Sequence, residues 1–417
     1  MILGYVPFGI ISICFLRFAR TYYYCAKNTT NYINMKTNMI NSPPICVIIP
    51  VKLITCKSSN IQECWKSHLT STYTGSVEFI FVIEQNNTYT LSLINDVIKN
   101  VKDNGMSLLN ARVIISGPCQ TSSQKIHNML AGVRQCSPNV KYIQFLDISY
   151  QIHLHTYENN IYTLETNVEN NIFLVSGCPL DVPVSNSSIW SWVLCQFRHS
   201  SIVGEFYQPY NGFVWGGHMC IRKSDIDIGT CLYRRLMCSY SDDMTIQNYG
   251  LEKGLRVIVP AKNIFLNRVR NNFDIYDIWN FLRRQCFAIT QFHTIQGLCH
   301  HIILYLCMIV CHSSMFYTTL TILYYSIYHP IYALFICIGL LLTVYMERCM
   351  VYQIYHCISF SSVIYIPFIR YLSSLLLLSP LLLLAGIVTL YTPTITWGNI
   401  NYTRSFGCIQ KTHNKYS

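Results

Sequence analysis

The chain has 417 residues, of which 51% are hydrophobic and only 12% charged, and its mean hydropathy is +0.28. Charged residues usually make up about a quarter of a soluble domain, so this composition favours one soluble domain combined with membrane segments. The net charge of +11 comes without a cluster of Lys and Arg. This distribution argues against a nucleic-acid-binding protein and fits contact with an anionic membrane surface.

The 20 cysteines are scattered along the sequence, and none of them forms a C-x-x-C pair. Disulfide frameworks are typical of short secreted chains, and zinc sites of closely spaced cysteine pairs. We therefore predict reduced, unpaired thiols.

Residues 1–20 are predicted to form an N-terminal signal-anchor helix, because the sequence is apolar as far as Leu16. Basic residues follow at Arg17, Arg20 and Lys27. By the positive-inside rule, they place the next domain in the cytosol.

Residues 43–298 are predicted to form an α/β domain. Four short apolar runs are typical of buried strands, and the segments between them carry apolar residues at helical spacing. The predicted strands are 45–50, 77–83, 111–115 and 141–146, and the predicted helices are 60–68, 91–103 and 123–134. Strands that alternate with helices and are apolar throughout indicate a mostly parallel sheet with helices on both faces.

Residues 299–392 form a transmembrane region in this interpretation, with about three spans, and 393–417 form a polar tail. The apolar tracts are near or above the ~20 residues that a span requires. They hold few ionisable residues, which disfavours a channel or transporter.

Two acidic residues close predicted strands, Glu84 after the second and Asp147 after the fourth. Ligands of parallel sheets bind outside the carboxyl ends of the strands. An aspartate there is suited to Mg²⁺ or Mn²⁺ bound to a diphosphate, although capping a loop or a helix explains Asp147 equally well.

Asp242 and Asp243 precede a predicted helix, so they are candidates either for helix capping or for a general base. Lys125 and Asn128 lie at the start of another helix, where phosphate oxygens bind readily. Residues 279–287 contain further basic groups and are interpreted as an interfacial helix or as a source of cations for a leaving diphosphate.

The order of these segments resembles that of ceramide glucosyltransferases, particularly the plant-like branch of that glycosyltransferase family. The resembling segments are 44–52, 77–84, 123–128, 145–147, 177–183, 215–217, 241–245, 279–287 and 395–402.

The resemblance implies a GT-A domain on the cytosolic face of the Golgi or endoplasmic reticulum. It implies inverting transfer of glucose from UDP-glucose to the primary hydroxyl of ceramide, with Mg²⁺ or Mn²⁺ as cofactor. Glu84 matches the position that holds the nucleotide, and Asp147 matches the metal-site aspartate.

The resemblance also assigns the acceptor-activating base to Asp243, with Asp242 beside it. Arg283, Arg284 and Gln285 fall in the region of the family's Q/R-x-x-R-W signature, which here lacks its Trp. Together with Lys125 and Asn128, they are predicted to bind the sugar nucleotide.

Two features depart from the family pattern. Asp147 stands alone at the metal position, and the acidic position expected shortly after Glu84 carries Gln, Asn and Thr. They leave two alternatives, which are another membrane-bound family-2 glycosyltransferase and a pseudoenzyme acting as a membrane scaffold.

Overall fold

The computed structural model describes residues 42–414 except 53, 55–58, 71, 106–109, 185, 206–211, 359–364, 398–399 and 406–407. The predicted anchor at 1–20 lies outside the described residues.

A seven-stranded sheet forms the centre of the α/β domain. Its strand order is β3-β2-β1-β4-β7-β5-β8, and β7 is the one strand of the seven that is antiparallel to its neighbours. The strands are β1 (Ile45–Val51), β2 (Val77–Ile83), β3 (Asn110–Ile115), β4 (Tyr142–Leu146), β5 (Ile172–Ser176), β7 (His218–Arg222) and β8 (Arg256–Ile258). The mostly parallel sheet is confirmed.

Helices cover both faces of this sheet. One face packs on α1 (Ser59–Leu69), α2 (Thr88–Asp103) and α4 (Thr156–Thr166). The other packs on α3 (Gln124–Gln135), α6 (Lys223–Ile226), α7 (Cys231–Leu236) and α8 (Asp242–Glu252). Every residue of β1 and β4 is buried, as expected for central strands that are covered on two sides.

Side-chain caps set the start of the helices that reach the carboxyl edge of the sheet. Asn87, Ser123 and Ser241 each accept a hydrogen bond from a backbone N–H in the first turn of α2, α3 and α8, respectively. Such caps satisfy donors that a helix start otherwise leaves without a partner.

The second half of the chain adds a two-stranded parallel sheet, β6 (Cys178–Pro183) with β9 (Ile264–Val269), and long helices. These helices are α5 (Ile189–Glu205), α9 (Ile275–Ile289), α10 (Ile295–Tyr328), α11 (Pro330–Ile358) and α12 (Phe368–Tyr391). Helix α12 packs on both α5 and α9, so the apolar helices are joined to the α/β domain.

Two helices among the described residues are long and apolar enough to cross a membrane, Pro330–Tyr355 and Phe368–Tyr391. Large apolar side chains are exposed along α10, α11 and α12, among them Ile303, Phe335 and Ile387. Exposed apolar surface on this scale is unusual in a soluble monomer and marks a surface for contact with lipid or with another protein. The predicted domain boundaries stay predictions.

A three-stranded antiparallel sheet follows the last helix, with β10 (Thr394–Trp397), β11 (Ile400–Ser405) and β12 (Cys408–Asn414). Its buried residues Ile395, Tyr402 and Ile409 pack on Tyr240 and Phe287 of the α/β domain. The segment predicted as a polar tail is therefore a folded part of the molecule.

Gly132 allows α3 to approach the sheet. A Cβ atom there would lie 2.5 Å from Cγ2 of Ile48 in β1. We expect Gly132→Val to lower the free energy of unfolding by about 1–3 kcal/mol, the usual cost of overpacking a core. Thermal or urea unfolding measures this loss. Gln135→Val, at an exposed position of the same helix, is the control, and equal stability of the two variants would contradict the packing argument.

Candidate active site

A cavity of about 830 Å³ lies at the carboxyl edge of the parallel strands. Glu84 and Asp147 reach it because each directly follows a strand, β2 and β4, respectively. The amino end of β7 lies beside the carboxyl end of β4 because these strands are antiparallel. The turn before β7 consequently contributes Gly216 and Gly217 to the cavity lining.

The ammonium group of Lys125 lies between two carboxylates in this cavity. Its Nζ is 3.0 Å from Asp147 Oδ1 and 3.0 Å from Asp242 Oδ2, and it donates a hydrogen bond to the carbonyl of Gly216 at 2.9 Å. Burial lowers the pKa of Lys125, but the two carboxylates outweigh this effect and raise it above its ordinary value. The side chain is therefore a fixed positive charge at neutral pH.

Asp147 and Asp242 are remote in sequence but face the same ammonium group. Burial, followed by the neighbouring charge of Asp242, raises the pKa of Asp147 despite the opposing effect of Lys125. About a third of the Asp147 side chain remains accessible. Asp242 is buried, and its Oδ2 faces the Lys125 ammonium at 3.0 Å.

The carboxylate oxygens of Asp147 and Asp242 are suited to a hard divalent cation. Mg²⁺ and Mn²⁺ prefer carboxylate, phosphate and water oxygens, and Mg²⁺ usually needs only one or two protein carboxylates. The carboxylates of the partly accessible Asp147 and of Asp242 are the groups that would hold such an ion beside a bound diphosphate.

Asp243 also lines the cavity and is half-buried. Its Oδ1 accepts hydrogen bonds from the Ser241 hydroxyl and from the backbone N–H of Met244, the latter at 2.8 Å. Burial and then the charge of Asp242 raise its pKa. Ser241 supplies the N-terminal cap of α8, so both aspartates fall in the first helical turn.

Gly216 has no room for a side chain at this point. A Cβ atom would lie 2.6 Å from Asp242 Oδ2. The glycine therefore allows the turn before β7 to approach the carboxylates closely.

Arg284 and Arg198 add positive charge to the cavity lining. Arg198 lies 3.8 Å from Asp181, whereas none of the described carboxylates forms an ion pair with Arg284. Burial lowers the pKa of Arg284, and Arg198 adds to this shift. An arginine stays charged even so, which makes this region favourable for an anion.

The C-terminal sheet closes one side of the cavity with Trp397, Ile400 and Tyr402. The guanidinium of Arg284 lies 5.2 Å from the ring centroid of Trp397, within the range of a cation–π contact. The Tyr240 ring is 5.2 Å from that of Tyr402 and links the sheet to the start of α8.

The structure brings eight of the nine predicted site residues to the cavity. They are Glu84, Lys125, Asn128, Asp147, Asp242, Asp243, Arg284 and Gln285. Burial raises the pKa of Glu84. The amide of Asn128 is used structurally, since it donates to the Val82 carbonyl and accepts from Ser116 and Gln124.

Arg283 does not line the cavity. Its guanidinium donates to the hydroxyl of Thr392, at 2.5 Å, and to the carbonyl of Thr394. Consecutive residues of a helix point about 100° apart, because a turn takes 3.6 residues. Arg284 therefore faces the cavity while Arg283 ties α9 to the start of the C-terminal sheet.

Sequence reasoning missed Arg198, Tyr240 and Lys52 as cavity residues. Arg198 lies in α5, far from any acidic segment, and its sequence neighbourhood gives no sign of a ligand. Lys52 directly follows β1, so the rule that ligands bind at the carboxyl ends of strands could have found it.

The fold is similar to that of mannosyltransferase PcManGT from Pyrobaculum calidifontis, whose structure contains GDP-Man and Mn²⁺. The TM-score is 0.53 at 12% sequence identity, covering 93% of this chain and 99% of that chain. This similarity, together with the mostly parallel sheet, shows a fold of the GT-A glycosyltransferase type.

Two further structures have TM-scores too low to support any argument. A mycobacterial protein has a TM-score of 0.35 at 12% identity, covering 62% of this chain and 74% of that chain. A 4-diphosphocytidyl-2C-methyl-D-erythritol synthase from Anaerococcus prevotii DSM 20548 has 0.34 at 11% identity, covering 58% and 96%, respectively. No protein-family model matches the sequence, and no curated protein matches it either.

Replacing Lys125 tests the central ion pairs. In Lys125→Ala, the buried Asp242 and the partly accessible Asp147 lose their shared cation, so we expect unfolding to become easier by about 1–3 kcal/mol at neutral pH. Loss of the ammonium raises the folded-state pKa of Asp147 further. When the pKa of a carboxyl group is higher in the folded than in the unfolded state, the free energy of unfolding falls as the pH rises through that pKa. The loss of stability in Lys125→Ala relative to the wild type should therefore be smaller at acidic pH.

Urea unfolding at pH 5 and pH 7 measures this difference. Lys223→Ala removes the same charge from a lysine whose ammonium hydrogen-bonds the carbonyl of Ser137, and it serves as the control. A Lys125→Ala deficit that does not change with pH would contradict the shared-cation argument.

Proposed function

We propose that the chain is a membrane-bound inverting glycosyltransferase that transfers glucose from UDP-glucose to the primary hydroxyl of ceramide. The observation that supports it most strongly is that Asp147, Asp242, Asp243 and Arg284 meet in one cavity of a GT-A fold. The choice of donor and acceptor, and a location on Golgi or endoplasmic reticulum membranes, rest on the sequence resemblance.

Asp243 is the general base in this mechanism. Its carboxylate takes the proton of the acceptor hydroxyl while the hydroxyl oxygen attacks the anomeric carbon of the sugar. The new bond forms as the bond from that carbon to the diphosphate oxygen breaks, which inverts the configuration. The proton ends on Asp243, and the electron pair leaves with the nucleoside diphosphate.

Arg284 and Arg198 are placed to bind the departing diphosphate. Arginine forms strong charge-assisted hydrogen bonds with phosphate oxygens, and these bonds strengthen as negative charge develops. Lys125 has a positioning role, because its ammonium already binds Asp147, Asp242 and the Gly216 carbonyl. A divalent cation held by Asp147 and Asp242 would neutralise part of the diphosphate charge.

The apolar helices provide a reason for a lipid acceptor. Helices α11 and α12 are long and apolar enough to cross a membrane, and α12 packs on α9, which carries Arg284. The cavity is thus attached to a surface suited to lipid, and a two-chain lipid can present its headgroup there without leaving the bilayer.

The direct test incubates membranes containing the protein with labelled UDP-glucose, UDP-galactose or GDP-mannose, each with and without ceramide. GDP-mannose is included because the similar mannosyltransferase binds it. We expect a monoglycosylated lipid from UDP-glucose that requires ceramide and disappears with a chelator. A polymeric product would favour the alternative family-2 enzyme. Absence of turnover with every donor would favour a non-catalytic scaffold.

Asp243→Asn is expected to lower kcat by about 10²–10⁴, the usual contribution of a positioned general base, while leaving donor affinity unchanged.

In the wild type, the raised pKa of Asp243 should make kcat fall on the acidic side, because protonation removes the base. Steady-state kinetics over pH and donor titration measure both effects. Asp225→Asn removes a carboxylate outside the cavity lining and should leave kcat unchanged. Full turnover by Asp243→Asn would contradict the assignment.

Arg284→Ala is expected to weaken binding of the nucleoside diphosphate about 10- to 100-fold, because a hydrogen bond to a charged group contributes about 1.5–3 kcal/mol. Titration calorimetry with UDP measures the change. Arg283→Ala removes the adjacent arginine, which faces away from the cavity, and should leave the affinity for UDP close to that of the wild type. Equal losses in the two variants would contradict the placement of Arg284 at the diphosphate.

A further inference from the structure

Three side chains with metal-binding atoms meet outside the cavity, where the C-terminal sheet joins the α/β domain. The Sγ atom of Cys408 is 3.6 Å from Sγ of Cys238 and 3.8 Å from Nδ1 of His293. The ligand atoms of all three lie within 4.8 Å of one another. Cys238 follows α7, His293 lies between α9 and α10, and Cys408 begins β12.

We propose that Cys238, His293 and Cys408 bind one zinc ion, which fixes the C-terminal sheet to the α/β domain. This proposal is independent of the transferase function.

The spacing of the ligand atoms agrees with tetrahedral zinc. With Zn–S bonds of about 2.3 Å and Zn–N bonds of about 2.0–2.1 Å, ligand atoms of a tetrahedron are roughly 3.5–3.8 Å apart. The two measured separations, 3.6 and 3.8 Å, match this range. A disulfide would instead bring the two sulfurs to about 2.05 Å.

The hydrogen bonds of His293 leave the correct nitrogen free for a metal. The Ser239 hydroxyl donates its only proton to the Arg235 carbonyl at 2.7 Å. It must then accept from Nε2–H of His293, 2.9 Å away. The proton is on Nε2, so the lone pair of Nδ1 points toward Cys408. A group that orients the second nitrogen in this way is typical of metal-binding histidines.

The ligand set also fits zinc in chemical type and in charge, because thiolate sulfur and imidazole nitrogen are the ligands that zinc prefers. Two thiolates balance the double charge of zinc, so the complete site is neutral. With three protein ligands from the described residues, a water completes the tetrahedron.

The site lies next to contacts that hold the C-terminal sheet in place. The backbone N–H of Ile409 donates to the carbonyl of Cys238 at 3.0 Å, and Ile409 packs on Tyr240. The same sheet carries Trp397 and Tyr402 to the cavity. A zinc ion here would therefore resist separation of that sheet from the α/β domain.

The test uses the full chain, purified in detergent with reductant, incubated with zinc and desalted. We expect about one zinc per chain, with a large loss in Cys238→Ser and in Cys408→Ser. Cys231→Ser is the matched control, since this cysteine is half-buried in the neighbouring helix α7 and outside the cluster. A chelator selective for zinc over Mg²⁺ should lower the unfolding temperature of the wild type but not of the two depleted variants.

Cobalt(II) loading of the wild type provides a second measurement that does not depend on folding of the variants. We expect thiolate-to-cobalt charge-transfer absorption, which carboxylate ligands such as Asp147 do not produce. Wild-type protein without bound zinc, or a cobalt spectrum without sulfur ligation, would overturn the proposal. So would a Cys238–Cys408 disulfide found by peptide mass analysis of protein kept under reducing conditions. None of these readouts measures transferase activity, so the two proposals fail separately.

Discussion

The ion pairs of Lys125 with Asp147 and Asp242 are the constraint on which the site depends. Two carboxylates this close repel each other strongly when water is excluded. Without a cation between them, one of the two would have to protonate or move away. One ammonium at 3.0 Å from each offsets this repulsion and holds both carboxylates in place. It joins helix α3, the end of strand β4 and the start of helix α8, and thereby sets the geometry of the cavity.

The arrangement has a chemical consequence for the departing group. Carboxylates and the guanidinium groups of Arg198 and Arg284 line the same cavity, with Trp397 beside Arg284. Such a lining can hold a cation and an anion side by side, which is what the proposed metal-bound diphosphate requires.

Much of the α/β domain was predictable because buried parallel strands are apolar throughout. Strand β2 was predicted at its observed bounds, and Glu84 and Asp147 could be placed at the carboxyl edge from their positions after strands. Only the family resemblance assigned Asp147 and Asp243 to one active site, since no periodicity relates residues this distant. The different directions of Arg283 and Arg284 depend on the rotation of α9, which the sequence pattern alone did not fix.

The sheet formed by the C-terminal segment was not predicted. Its low apolar content suggested a polar tail, whereas the structure shows a sheet with Ile395, Tyr402 and Ile409 buried against the α/β domain. Alternation of buried and exposed residues in such short strands is a weak signal beside the apolar tracts that precede it. The cluster of Cys238, His293 and Cys408 was missed for a related reason, because zinc sites were expected only where cysteines are close in sequence.

The contact between the C-terminal sheet and the α/β domain restricts how the chain threads a bilayer. Helix α9 and strand β10 both touch the same domain, so the polypeptide that leaves that side of the membrane must come back to it before residue 394. An even number of complete crossings satisfies this condition, and the two described span-length helices, Pro330–Tyr355 and Phe368–Tyr391, would provide one outward and one return passage. An odd number of complete crossings would place Trp397 and Tyr402 on the far side of a bilayer, away from the cavity that they line.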